Sequence, residues 1–327
     1  MRIVIIGGSG FIGTCLTTHL LAANHTVKIA DKQDSYKYSN LRLFADVREL
    51  GTLEEVLYGS DIVINLAAEH RDDVSPKSLY DDVNVTGAEN VCNACAKLGI
   101  KKIIFTSSVA VYGFAPVGTD ETGEINYFND YGRTKWFAEE KYREWLVSDP
   151  ENSLTIIRPT VVFGERNRGN VYNLLRQIAE KNFLMVGNGK NIKSMAYVEN
   201  IVAFIENNLD NDSGEYLYNY IDKPDFDMNV LVGEIDKMLG KSRKLIRLPY
   251  WIGYFAGLCF DVLAKILRKK LSISSIRVKK FCSNTMFKST NIEKTNFKAP
   301  VSLTEGLRKT IQYEFVDKTK DQVFYTE

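Results

Sequence analysis

The sequence predicts an α/β fold: a doubly wound parallel sheet with a smaller, partly interleaved C-terminal lobe. Three observations predict it. An apolar β-branched run at residues 3–6 leads straight into Gly7, Gly10 and Gly13. Short apolar strands then alternate with helical stretches to about residue 157. A helix-spaced pair, Tyr131 and Lys135, follows the serines Ser107 and Ser108, which close another apolar run.

Residues 3–6 (IVII) read as a strand buried on both faces, since no polar residue alternates with the apolar ones. The glycines suit a tight strand-to-helix turn whose helix runs to about Ala22. Strands follow at 27–30, ending at Asp31, and at 41–45, ending at Asp46. A short helix at 52–58 precedes a strand at 62–65 and then Leu66-Ala67-Ala68. A long helix is expected over 78–98, a strand over 102–106, a helix over 131–148 and a strand over 154–157. Beyond Arg158-Pro159 the rhythm changes. Helices are expected near 168–181, from Val198 and over 228–239, with a Gly187-Asn188-Gly189 turn and a strand near 216–221. The chain divides into a dinucleotide-binding domain, 1–165, and a mainly substrate-binding lobe, 166–327, some of whose segments return to the first.

The 327 residues are 45% hydrophobic and 25% charged, with a net charge of +1. That balance is ordinary for a globular chain and lacks the basic excess of a nucleic-acid binder. The five cysteines (15, 92, 95, 259, 282) form no disulfide framework or paired metal motif and read as small core residues of a reducing compartment. Met1-Arg2 runs directly into the first strand, so no signal peptide is expected.

A GxxGxxG turn between strand and helix lets a pyrophosphate approach the backbone at a helix N-terminus. Asp31, at the end of the second strand, would accept from an adenosine ribose and repel a 2′-phosphate, which favours NAD over NADP. Asp46 and Val47 are expected at the adenine edge, and Leu66, Ala67 and Ala68 beneath the cofactor. On one helix face, the Tyr131 phenol and the Lys135 ammonium would share a space, and the cation would lower the phenol pKa towards that of a general base.

These residues, with Asn84 in VNVTG, SSVAVYG at 107–113 and Arg158-Pro159, resemble the extended short-chain dehydrogenase/reductases with the Rossmann fold, which include nucleotide-sugar epimerases and dehydratases. The resemblance implies Ser108, Tyr131 and Lys135 as catalytic residues. It adds Phe11, Ile12, Asn84, Thr106 and Pro159 to the cofactor side and puts Ser107 at the substrate. AAEHRDDVSP (67–76), KSMAYVENIV (193–202) and SSIRVKKFC (274–282) resemble a narrower bacterial group of 4-epimerases. Their N-acetylhexosamine is carried on a polyprenyl diphosphate for O-antigen assembly. Arg166, Arg168 and Lys193 are then the expected diphosphate cations. Lys193 and Val161 stand where nucleotide-sugar epimerases commonly carry arginine and asparagine. The loop Glu69-His70-Arg71-Asp72-Asp73 is expected near the crevice.

Residues 250–267 are apolar and aromatic, and Arg268, Lys269, Lys270, Arg277, Lys279 and Lys280 follow. Asp261 and Lys265 argue against a span; an interfacial helix or a lid over the substrate pocket fits the pattern, and the polyprenyl carrier that the resemblance implies favours the interfacial helix, on the cytoplasmic face of the inner membrane. The helices at 78–98 and 131–148 are expected to pair in a homodimer, as in the family. The competing readings are a soluble UDP-N-acetylglucosamine 4-epimerase, a sugar or steroid oxidoreductase that exchanges its cofactor, and a cofactor-sensing regulator. No metal is expected.

Overall fold

The structure is a computed structural model that describes residues 1–71, 74–180, 183–241, 245–267, 274–319 and 321–325. Seven parallel strands form its main sheet: Arg2–Ile6, Thr26–Asp31, Arg42–Phe44, Ile62–Asn65, Lys102–Thr106, Ser153–Pro159 and Gly214–Tyr220. Numbered along the chain within this sheet, their spatial order is 3-2-1-4-5-6-7. The order reverses between the first and fourth strands, where Ile3 pairs with Ile62 on one side and Val27 on the other.

Successive strand residues point to opposite faces, so one strand feeds two cores. Ile3, Ile5 and Ile64 pack on one side with the helices Phe11–Ala22 and Val198–Asn207. Val4, Ile6 and Val63 pack on the other with the helices Leu50–Leu57, Gly87–Leu98 and Asp130–Val147.

The long helix expected over 78–98 contains a π segment, Asp81–Thr86. π turns gather at functional sites, and this one carries Asn84. The last strand of the main sheet, Gly214–Tyr220, lies beyond residue 165 yet pairs with Ser153–Pro159.

The lobe adds strands that local patterning did not show. Val161–Phe163, Ile192–Tyr197 and Asp222–Asp227 form a three-stranded sheet, and Leu184–Val186 pairs with Ile246–Leu248. Helix Tyr250–Leu267 lies against helix Ser275–Cys282. A Cβ on Gly257 would stand 2.8 Å from the Ser275 backbone, so only glycine permits that approach. Gly253 and Gly257 are the helix's buried residues, and the rest of its apolar surface stays largely exposed.

Candidate active site

The glycine turn sits at the point where strand order reverses. A Cβ on Gly7 would lie 2.7 Å from the Ala67 backbone nitrogen, and one on Gly13 would lie 2.5 Å from Gly8 Cα. Both positions therefore require glycine, which draws the two loops together into a narrow backbone cradle. Gly10 precedes helix Phe11–Ala22 without a side-chain cap, so the first-turn N–H groups of Phe11, Ile12 and Gly13 keep their capacity for an anion. Asp31 accepts the Ser9 N–H at 3.0 Å and the Gln33 N–H at 2.9 Å. Each carboxylate oxygen keeps a second lone pair for a ribose hydroxyl. A cradle that a Cβ would fill, an uncapped helix and a strand-end carboxylate together fit a dinucleotide.

The other cofactor-side residues take up definite contacts. Asp46 is buried and bound by the Arg48 guanidinium and N–H, which hold its carboxyl below the usual range. Val47 lies against Gly87, and its carbonyl accepts from Asn90 at 2.9 Å. Leu66 donates to Ile6, and the Ala67 N–H to the Asn65 side chain at 2.9 Å, which fixes the loop that ends in Ala68. Asn84 receives the Glu69 N–H at 2.8 Å and donates to the Glu69 carbonyl and to Thr134, each at 2.9 Å. It thereby ties the loop at Glu69 to helix Asp130–Val147. His70 is exposed and Arg71 pairs with Glu69; Asp72 and Asp73 lie outside the described residues. Pro159 closes its strand opposite Tyr220.

Helix Asp130–Val147 begins at Asn129, whose side chain accepts the Gly132 N–H at 2.9 Å. That cap sets Tyr131 in the first turn. The Tyr131 phenol has Ser108 as its polar neighbour, and the Ser108 oxygen accepts the Ala110 N–H at 3.1 Å. Burial pushes the phenol up to about 12, and Ser108 acts in the opposite sense. Lys135 is 2% exposed, donates to the Thr106 carbonyl at 2.7 Å and lies 4.5 Å over the Phe105 ring. Burial brings its ammonium down to about 7, opposed by Glu139. The expectation that Lys135 lowers the tyrosine pKa is thus corrected for the protein alone. Burial dominates at Tyr131, and the ammonium is directed at a backbone carbonyl.

Glu139, one helical turn beyond Lys135, was missed. It accepts from Ser107 and from two nitrogens of Arg158, Nε at 2.8 Å and Nη2 at 2.5 Å. Arg158 Nη1 donates to the Tyr112 hydroxyl at 2.6 Å, which in turn donates to Asn219 at 2.9 Å. Ser107 is 3% exposed within this network, so it braces the serine loop and does not line the substrate space as expected. The spacing Tyr-x3-Lys-x3-Glu, which places all three on one helix face, was the signal available.

The expected diphosphate cations have partners within the protein. Arg168 pairs with the buried carboxylate of Glu314 and stacks 4.1 Å over Tyr172. The Arg166 N–H donates to Glu314 at 2.8 Å, and its guanidinium lies 5.6 Å over Phe324. The Lys193 ammonium donates to the carbonyls of Lys280 at 2.8 Å and Ser283 at 2.7 Å, and burial lowers it to about 8. Arg168 and Lys193 thus brace the lobe through their charged groups, and Arg166 through its backbone N–H and ring contact. They were chosen for charge and loop position, and their partners come from distant segments.

Residues 3–219 match the model of the NAD dependent epimerase/dehydratase family. Across 99% of this chain and 98% of the relative, the sequence is 53% identical to N-acetyl-alpha-D-glucosaminyl-diphospho-ditrans,octacis-undecaprenol 4-epimerase of Escherichia coli O157:H7. The fold is similar to that of Thermotoga maritima UDP-glucose 4-epimerase with UDP-glucose, at TM-score 0.76 and 20% identity, covering 98% of this chain and 100% of that one. It is also similar to Bifidobacterium longum UDP-glucose 4-epimerase with NAD+ and UDP, at TM-score 0.73 and 18% identity, covering 96% and 98%. Glycine cradle, Ser108–Tyr131–Lys135 constellation and family match converge: the chain belongs to the NAD dependent epimerase/dehydratase family, and its cofactor is NAD.

Proposed function

We propose that the chain interconverts the C4 epimers of an N-acetylhexosamine linked through diphosphate to undecaprenol, N-acetylglucosamine to N-acetylgalactosamine, for polysaccharide assembly. The observation that carries this reading is the 53% identity to a curated epimerase of that substrate, spread over almost the whole length of both chains.

Tyr131 accepts the proton of the C4 hydroxyl, and Ser108 donates a hydrogen bond to the same oxygen. NAD supplies the acceptor for the C4 hydride, and its positive charge favours the phenolate. The 4-keto sugar turns in the site and regains hydride on its other face, while Tyr131 returns the proton. Lys135 holds the nicotinamide ribose and adds positive charge near the phenol. Gly7, Gly10, Phe11, Ile12 and Gly13 hold the pyrophosphate, and Asp31 the ribose of adenosine. Asp46 and Val47 border adenine. Leu66, Ala67, Ala68, Asn84, Thr106 and Pro159 line the path to the nicotinamide.

The enzyme works as a peripheral protein of the cytoplasmic face. Helix Tyr250–Leu267 has 18 residues, a mean hydropathy of 1.4 and a length and composition sufficient to cross a membrane. Asp261, however, accepts the Ser275 N–H at 3.1 Å, which ties the helix flat against its neighbour. Trp251, Phe255, Val262 and Ile266 are exposed along it and enter the interface, while Lys265, Arg277 and Lys279 meet anionic heads. Arg268, Lys269 and Lys270 lie outside the described residues. A homodimer forms through the helices at 78–98 and 130–147.

The test offers purified enzyme, without added cofactor, UDP-N-acetylglucosamine and N-acetylglucosaminyl-diphospho-undecaprenol separately. Only the lipid-linked sugar should be epimerised, and Tyr131→Phe should abolish that turnover. Conversion of the nucleotide sugar alone would move the enzyme to the soluble class.

A further inference from the structure

We propose that Phe324 is a positioning residue for NAD: it backs Phe11 and so fixes the helix N-terminus that receives the pyrophosphate. The assignment rests on the family's cofactor and not on the carrier of the sugar, so it stands apart from the function proposed above.

Phe11 opens helix Phe11–Ala22, directly after Gly10. Its N–H is among the first-turn donors that no side chain caps. Such donors serve an anion only while they converge on it, and convergence depends on where the helix end sits. Glycines supply most of the turn before it and bring no side chain to pack. The Phe11 ring is therefore the anchor of the helix end. It is 6% exposed and reaches the loop after strand Val161–Phe163, where a Cβ on Gly164 would lie 3.1 Å from Phe11 Cζ. Phe324 meets the same ring, with centroids 6.0 Å apart and planes tilted by 50°. Aromatic pairs favour such offset, tilted contacts.

Phe324 is held in place through both of its backbone groups. Its N–H donates to the Arg166 carbonyl at 2.8 Å, and its carbonyl accepts the Arg168 N–H at 2.7 Å. The Arg166 guanidinium stands 5.6 Å over the Phe324 ring. Arg166 has a φ of 71°, a backbone conformation that a residue with a side chain seldom adopts. Its N–H bond to Glu314 and its carbonyl bond to Phe324 hold that conformation. Tyr313 donates to Asp321 at 2.8 Å, which fixes the approach of the segment. Phe324 packs against the core, whereas its neighbour Tyr325 is 76% exposed. The segment thus delivers one ring to one place, the wall of the cofactor turn.

Donors already held in their bound geometry bind more tightly, because less ordering is left to the binding step. Without the Phe324 ring, Phe11 gains room to turn and the helix end loses its backing. NAD should then bind more weakly, although Phe324 itself does not touch it.

The test strips the whole chain of cofactor and titrates it with NAD by calorimetry. Phe324→Ala should raise the Kd for NAD about tenfold, and Phe324→Leu, which keeps an apolar side chain, about threefold. Phe324→Tyr, which keeps the ring, should stay within about twofold of wild type. Tyr325→Ala should match wild type. A residue that only packs would lower the Tm of stripped and NAD-saturated protein by the same amount. Phe324→Ala should instead shrink the rise in Tm that NAD produces, because that rise follows the Kd. Combined with Phe11→Leu, it should cost less than the sum of the two single effects on Kd, since both act through one contact. An unchanged Kd in Phe324→Ala, or fully additive effects with Phe11→Leu, would overturn the assignment. If the alanine variant does not fold, an unchanged Kd in Phe324→Leu overturns it equally.

Discussion

The helices Asp130–Val147 and Tyr250–Leu267 have the same length and opposite chemistry. Asp130–Val147 carries Lys135, 2% exposed, and Glu139, 0% exposed, and buries both by giving each a partner. Tyr250–Leu267 carries Trp251 at 71% exposed and Phe255 at 65% and leaves both in the open. One region places charge where water is excluded; the other places hydrocarbon where water is present. Each arrangement costs stability in a free protein. In the function proposed above, a dinucleotide and a sugar answer to the first, and a lipid surface to the second.

Removing one member of the buried network should break the comparison most severely. Arg158→Met leaves the Glu139 carboxylate without its bidentate partner and should cost about 3–5 kcal/mol. Glu139→Gln combined with Arg158→Met should recover part of that loss. Urea denaturation checks both, and a single variant as stable as wild type would show the pair to be dispensable.

A smaller effect concerns pH. Burial holds Lys135 at about 7 in the folded state, against about 10.4 when unfolded. Between these values the unfolded chain binds more protons, so the Lys135 contribution to stability rises with pH through that window. Below about 7 both states are protonated and the desolvation cost is fully present. Wild type should therefore gain on Lys135→Met between pH 7 and pH 9, by at most about 1.4 kcal/mol per pH unit. A constant difference in urea midpoints would place the ammonium in a wetter site.

The smallest effect on stability is expected at the other helix. Trp251→Glu with Phe255→Glu should leave stability within about 0.5 kcal/mol, since both side chains are exposed. The same pair should lower binding to anionic vesicles about tenfold or more. A large drop in Tm with binding intact would mean that the helix covers protein and not lipid.

The nucleotide-binding half was largely legible because its signals are local. An apolar run, a glycine turn and a helix occupy adjacent residues, and Tyr131, Lys135 and the missed Glu139 share one face by spacing alone. The lobe was less legible. Strand Ile192–Tyr197 joins Val161–Phe163 on one side and Asp222–Asp227 on the other, and none of the three shows clean alternation.

By itself the sequence determined the parallel sheet, the cofactor turn, the serine–tyrosine–lysine set and the apolar character of residues 250–267. All of these follow from residues within a few positions of one another, where periodicity and backbone chemistry act directly. Only the tertiary structure decided which of the expected cations already have protein partners. Arg168 is taken by Glu314, 146 residues away, and Lys193 by carbonyls 87 and 90 residues away. A charge in the sequence has no direction until the fold supplies its partner, because desolvation and pairing depend on neighbours that chain order does not reveal.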